Sequence, residues 1–301
     1  MNGFKRTAIC SLLIFLFSSS LFAGTVYRYT DKRGVVTFTD QHDVAAPFDP
    51  VEVETWEPDQ DAVTLRRTKM GSIYLYNSLY GPVTVTLQPS ITEGLIKHRD
   101  LSQPIVVPAR TEVFVDQVNY FGPQELTFSY HFSVGTPSDI SVDRSKLRVP
   151  FIGRFVVSQA FNGSYSHHLP GNRYAIDIAM PVGTPILAAK SGVVLDMKDS
   201  FDGHSTDPKD RGRTNYIRIM HTDGTMTLYA HIGTGSAKVH PGDHVKSGQL
   251  IALSGNTGYS TGAHLHFAVQ RNNGQRLVAI PFEIQGITPT KGMTLAGNKQ
   301  Y

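Results

Sequence analysis

Apolar and polar positions alternate with a period of two in run after run along this 301-residue chain, the pattern of half-buried β-strands. Val26–Thr30 and Val35–Thr39 alternate on either side of Asp31-Lys32-Arg33-Gly34, which predicts a hairpin with glycine at the turn's left-handed position. Residues 58–70 are polar and read as a link. Short alternating runs then follow at Ser72–Asn77, Pro82–Leu87, Ile105–Val107, Glu112–Val115 and Glu125–Phe132, separated by turn residues. Asp143–Pro150 reads as a second polar link. Beyond it, Ile176 and Ile178 alternate with Ala175, Asp177 and Ala179, and Leu265, Phe267 and Val269 alternate with His264, His266 and Ala268. In Thr227–Ile232 the same rule assigns Leu228, Ala230 and Ile232 to the core face and Tyr229 and His231 to the opposite one.

These runs predict an all-β protein. The expected layout is a signal segment at 1–23, a small hairpin module at 24–57, a link at 58–70 and a β-sandwich of immunoglobulin-like type at 71–142. An antiparallel β domain at 151–285, with its functional groove on an open face, and a tail at 286–301 complete it. Twenty-seven glycines and 17 prolines supply the turns this layout needs. An apolar content of 40% with 18% charged residues describes an ordinary globular protein.

The first 23 residues carry an address. Lys5 and Arg6 precede the apolar run Ile9–Phe17, and Ser18-Ser19-Ser20-Leu21-Phe22-Ala23 offers small residues for cleavage after Ala23. That run is short for a membrane span, so export without stable membrane insertion is expected, to the periplasm or beyond. Losing Lys5 and Arg6 lowers the net charge from +3 to about +1, which removes any electrostatic case for nucleic acid. Cys10, the one cysteine, leaves with the signal, so a metal site in the mature chain must use histidine and carboxylate ligands.

Nine of the 12 histidines lie beyond residue 150. His264 and His266 share one strand face, behind the glycine-rich approach Gly255–Gly262. Asp177 sits on a face cleared by alanines, with His167 and His168 in the preceding loop. His231 adds a further imidazole. Two histidines and one carboxylate suit a tetrahedral Zn²⁺, one per chain, with a fourth position open to water. Two more histidines could orient that water and stabilise an oxyanion.

Several stretches carry a family likeness: Tyr174-Ala175-Ile176-Asp177, Gly183-Thr184-Pro185, Ser191-Gly192-Val193-Val194, Asn215, Leu228-Tyr229-Ala230-His231, Gly242–Gln249 and Thr257–Phe267. Over residues 151–285 the chain resembles the lysostaphin/LytM-type zinc metalloendopeptidases that cut peptide bridges in bacterial cell walls. The resemblance implies a half-barrel fold of duplicated-hybrid-motif type and peptidoglycan peptides as substrate. It implies His167, Asp177 and His266 as zinc ligands and His231 and His264 as the catalytic pair. One departure stands out: nine residues separate His167 from Asp177 where the compact family motif has three, which leaves His168 as a rival ligand.

Two other readings remain. A catalytically inactive relative would act as an activator of other wall hydrolases. The run Pro241–Ala252 also resembles the half-barrel repeat of lipoyl and phosphoryl carriers, although fold alone does not carry function. The hairpin module resembles one found on many secreted bacterial proteins, of unassigned function. With the sandwich, it offers a surface for an envelope protein partner.

Overall fold

In the computed structural model the described residues are 27–30, 36–39, 62–141, 143–207, 210 and 212–297; the signal segment and the hairpin's turn lie outside them. The chain divides into two units, Met1–Val53 and Glu54–Tyr301. In the first, β1 (Tyr27–Thr30) pairs antiparallel with β2 (Val36–Thr39), Tyr27 opposite Thr39.

The second unit begins with six strands: β3 (Val63–Arg67), β4 (Ser72–Asn77), β5 (Val83–Pro89), β6 (Ile105–Val107), β7 (Glu112–Gln117) and β8 (Phe128–Val134). They form two three-stranded sheets, ordered β3-β4-β7 and β6-β5-β8. Ile73, Leu75 and Val115 from the first sheet and Val83, Val85 and Phe132 from the second share one buried cluster, so the sheets stack face to face. Residues 63–67 had read as part of a polar link. They are a strand because Val63 is fully buried and the polar side chains around it point outward from the sandwich edge.

Fifteen further strands follow. They begin with β9 (Asp143–Leu147), β10 (Gly153–Gln159), β11 (Ile176–Ala179), β12 (Pro185–Leu187) and β13 (Gly192–Lys198). Next come β14 (His204–Ser205), β15 (Tyr216–Met220), β16 (Met226–Ala230), β17 (His244–Val245) and β18 (Leu250–Leu253). The last are β19 (Gly258–Tyr259), β20 (His264–Asn272), β21 (Leu277–Ala279), β22 (Phe282–Ile284) and β23 (Thr294–Gly297). Every named element among the described residues is a strand, as an all-β protein requires.

A nine-stranded sheet ordered β17-β13-β15-β16-β20-β11-β10-β23, with β21 on β20, forms the body. One of its faces buries Ile176, Ile178, Ile217, Ile219, Leu265, Phe267 and Val269 against Ile186 and Ile251, which come from the β12–β18 pair. Each such side chain contributes about 1.5–3 kcal/mol on burial. Two stretches read as connections are structural here. β9 runs parallel to β22, and β23, in the expected tail, pairs with β10, Gly297 opposite Gly153.

The other face carries a strip of small and medium side chains, Ala175, Leu228, Ala230 and Ala268, beside Tyr216. All are buried, so this face is not open as expected; the loop before β11 covers part of it, with Gln270 donating to the Gly171 carbonyl. At its far end the face joins the sandwich. Leu195, Met226 and Leu277 belong to the sandwich's own buried cluster. Asn272 Nδ2, also buried, donates to Thr84 Oγ1 at 3.1 Å and to the Gly135 carbonyl at 2.9 Å.

Candidate active site

The site forms where β11 and β20 pair. Asp177 lies opposite His266 and Ala179 opposite His264, so the aspartate and both histidines share the face away from the aliphatic core. Asp177 Oδ1 is 2.9 Å from His266 Nδ1, 3.2 Å from His167 Nε2 and 3.7 Å from His264 Nε2. Ligand atoms of His167, Asp177 and His266 all lie within 4.8 Å of one another, and all three residues are buried.

The nine-residue spacer closes through local turns. Asn162 N donates to the Arg173 carbonyl, His167 N to that of Gly163, Asn172 N to that of Leu169 and Ala175 N to that of Asn172. These turns fold His167, fully buried, onto Asp177 and leave His168 exposed outside the cluster.

His231 reaches the site differently from the reading of its strand. Ala230 lies opposite His266, which puts Leu228 and Ala230 on the site's face. Tyr229 turns into the main core, its ring 5.3 Å from Phe267 and its hydroxyl accepting from Ala189 N at 2.7 Å. Continued alternation would send His231 into the core as well. Instead the strand ends at Ala230 and His231 takes a φ of 61°, a left-handed conformation that swings its ring toward His264. The two ring centroids are 4.3 Å apart.

Both rings of this pair are oriented by backbone carbonyls of the glycine-rich approach. His231 Nδ1 donates to Thr257 O and His264 Nδ1 to Gly262 O, each at 2.7 Å. When the rings are neutral, those bonds leave each Nε2 as an acceptor. Thr257 is held in turn: its hydroxyl donates to Ile232 O and accepts from Asn215 N.

Electrostatics separate the groups. Burial alone would raise the Asp177 carboxyl, but hydrogen bonds from His167 and His266 overcome it and hold the group well below the usual carboxylate range. Burial pushes His231 well below its ordinary value, and neighbouring His264 adds to the shift. His266 is lowered by burial as well, against the opposing pull of Asp177.

The donor set fits a metal. His167 Nδ1 faces the Ala160 carbonyl at 3.0 Å while its Nε2 faces Asp177 Oδ1. A neutral imidazole has one N–H and can serve only one of these acceptors. A divalent cation among the three groups would use the Nε2 lone pair and the carboxylate together, and two nitrogens with one oxygen is a set that zinc accepts.

One participant escaped the sequence reading. Gln159, on β10, donates from Nε2 to Asp177 Oδ2 at 2.8 Å and to Ser166 Oγ at 2.8 Å. Its only trace in the sequence is the consecutive pair Val156-Val157, which breaks strand alternation just before it.

Residues 171–278 match the model of peptidase family M23, and residues 13–69 match a domain of unknown function, DUF4124. The first match takes in Asp177, His231, His264 and His266 and begins just after His167. The chain is similar to an uncharacterized metalloprotease of Buchnera aphidicola, 39% identical over 41% of this chain and 30% of that protein. It is also similar to the DD-carboxypeptidase/endopeptidase Mpg of Neisseria gonorrhoeae, 35% identical over 42% of this chain and 26% of that protein. The chain thus spans about a third or less of the length of these relatives. Among solved structures, the catalytic domain of lysostaphin from Staphylococcus simulans is 30% identical, covering 41% of this chain and 86% of that one with a TM-score of 0.30. Residues 171–278, just over a third of the chain, are thus similar to peptidase family M23.

Proposed function

We propose that the protein is a zinc-dependent endopeptidase that cuts peptide cross-links or stem peptides of peptidoglycan in the bacterial envelope. The observation that carries this is the convergence of His167, Asp177 and His266 within 4.8 Å, beside a separate pair of buried imidazoles. His167 Nε2, Asp177 Oδ1 and His266 Nδ1 would hold the ion. Bound there, Zn²⁺ supplies the Lewis acidity that polarises a peptide carbonyl and makes water nucleophilic near neutral pH.

The chain's own part is orientation and proton movement. Burial keeps His231 neutral at pH 7, so its Nε2 can take a proton from the attacking water. The pair, anchored through Nδ1 to Thr257 and Gly262, then presents an N–H to the oxyanion and passes the proton on to the leaving amine. The Neisseria relative's name supports peptide-bond cleavage, and the wall-lytic resemblance of the motifs supports the substrate. The signal-like first 23 residues support an envelope location, and no helix among the described residues is long and apolar enough to cross a membrane.

Incubating the mature protein with purified sacculi, with and without a chelator and with zinc restored, tests this by mass spectrometry of the released peptides. Peptide cleavage that stops with chelator and returns with zinc is the expected result. Intact cross-links and stem peptides after incubation with zinc-loaded protein would instead make this an inactive relative, acting on other hydrolases.

A further inference from the structure

We propose that Gln159 is a positioning residue that sets the affinity of the His167–Asp177–His266 cluster for its metal; the inference rests on the metal-site reading above. The backbone shows how it is placed. β10 pairs with β11 in regular register at Val156↔Ala179 and Val157↔Ile178, and then slips so that Gln159, not Ser158, lies opposite Asp177. Residues directly opposite in an antiparallel pair share a face. Without the bulge Ser158 would face the carboxylate, and its short side chain could not reach both Asp177 and the loop that carries His167. The extra residue re-aims a longer amide onto the site, a known use of bulges beside functional groups.

Three contacts define its action. Nε2–H donates to Asp177 Oδ2 at 2.8 Å, on the oxygen turned away from the two ligand histidines. The same amide nitrogen donates to Ser166 Oγ at 2.8 Å, and Oε1 accepts from Tyr165 N at 3.2 Å. One side chain therefore fixes the rotation of the carboxylate, so that Oδ1 faces His167 and His266, and pins the residues just before His167. Gln159 meets the ligand carboxylate through Oδ2. It acts through Asp177 and the loop, and it resolves how a nine-residue spacer delivers a histidine to a carboxylate with the orientation a metal needs. Partners that orient ligating carboxylates typically change metal affinity 10–100-fold.

Gln159→Met keeps the length and removes every hydrogen bond; Gln159→Glu keeps the acceptor and removes the donor to Asp177. Ser166→Ala removes one loop contact alone. The zinc dissociation constant of each mature variant is measured by competition with a chromophoric chelator, and the unfolding midpoint of each apo-protein by circular dichroism. The proposal expects zinc affinity to fall 10–100-fold in both Gln159 variants and less than about 3-fold in Ser166→Ala, with apo midpoints close to wild type. Unchanged affinity in the Gln159 variants overturns it, as does a loss of affinity that only tracks a fall in apo stability. If Gln159→Met fails to fold, Gln159→Glu decides alone. A wild-type protein that binds no zinc would instead refute the metal site itself, a distinct outcome.

Discussion

His231 sits in a backbone conformation that costs a residue with a Cβ about 1–3 kcal/mol, and what it gains is a ring set beside that of His264, tilted 44° to it, and anchored to Thr257. That strain at the end of β16 serves placement, because the unstrained continuation of the strand points into the aliphatic core. His231→Ala should keep its zinc and lose turnover by about 10²–10⁴-fold, the range for removing a positioned acid–base group. Metal analysis alongside peptide-release kinetics on the same preparation checks both halves. Loss of zinc in that variant would move His231 among the ligands. Asp177, His264 and His266 were legible because each lies in a strand whose alternation is regular. The face of Tyr229 was misread because Ala230 and Leu228 look like core residues while in fact lining the site's floor. Gln159 was missed because a one-residue register slip leaves no more than the Val156-Val157 pair as its trace.

At the scale of elements, the glycine-rich approach to β20 acts as a wall that orients both site imidazoles. Gly258 has a φ of 79°, and a Cβ there would lie 2.0 Å from Thr214 Oγ1 and 2.7 Å from the Thr214 backbone. Gly258→Ala must therefore separate the β14–β19 contact from the segment holding Thr214 and Asn215, and so displace Thr257, whose carbonyl orients His231. Turnover should drop at least 10-fold with zinc content preserved, and stability should fall by about 1–3 kcal/mol, both readable by kinetics and chemical denaturation. The β15–β16 hairpin offers a pH prediction. His221 donates from Nδ1 to Ser191 O and accepts at Nε2 from Thr227 Oγ1, beside Lys190, Asp223 and Asp143. Burial pushes it down to about 4, so the unfolded chain takes up this proton first as pH falls. Its contribution is complete above the unfolded value near 6.5 and is lost progressively toward pH 4. Between pH 7 and pH 4.5 the wild type should lose on the order of 2 kcal/mol more stability than His221→Gln. Equal losses in urea titrations would show that the ring is protonated in the folded state.

For the Glu54–Tyr301 unit as a whole, the sandwich and the nine-stranded sheet share a core. Leu195, Met226 and Leu277 are buried among sandwich residues, and Asn272 bonds three strand-end groups of the sandwich from a fully buried position. Turn spacing predicts a separate sandwich and C-terminal domain, and this shared cluster has no signal in the sequence, because nothing local distinguishes an apolar residue that meets its own sheet from one that meets a neighbour. Met226→Ala should cost about 2–5 kcal/mol, and thermal unfolding of the mature protein should show one cooperative transition for this unit; two resolved transitions would mean separable domains. Within the same unit β10 and β11 pair in the register that sets Gln159 against Asp177. On the proposed function, this scaffold presents one carboxylate and two imidazoles as a single metal site. Zinc content per chain in the mature wild type and in Asp177→Ala, measured by mass spectrometry of metals after dialysis, tests it most directly. One zinc per wild-type chain and none in Asp177→Ala is the predicted result; a full zinc in Asp177→Ala, or none in the wild type, would contradict it.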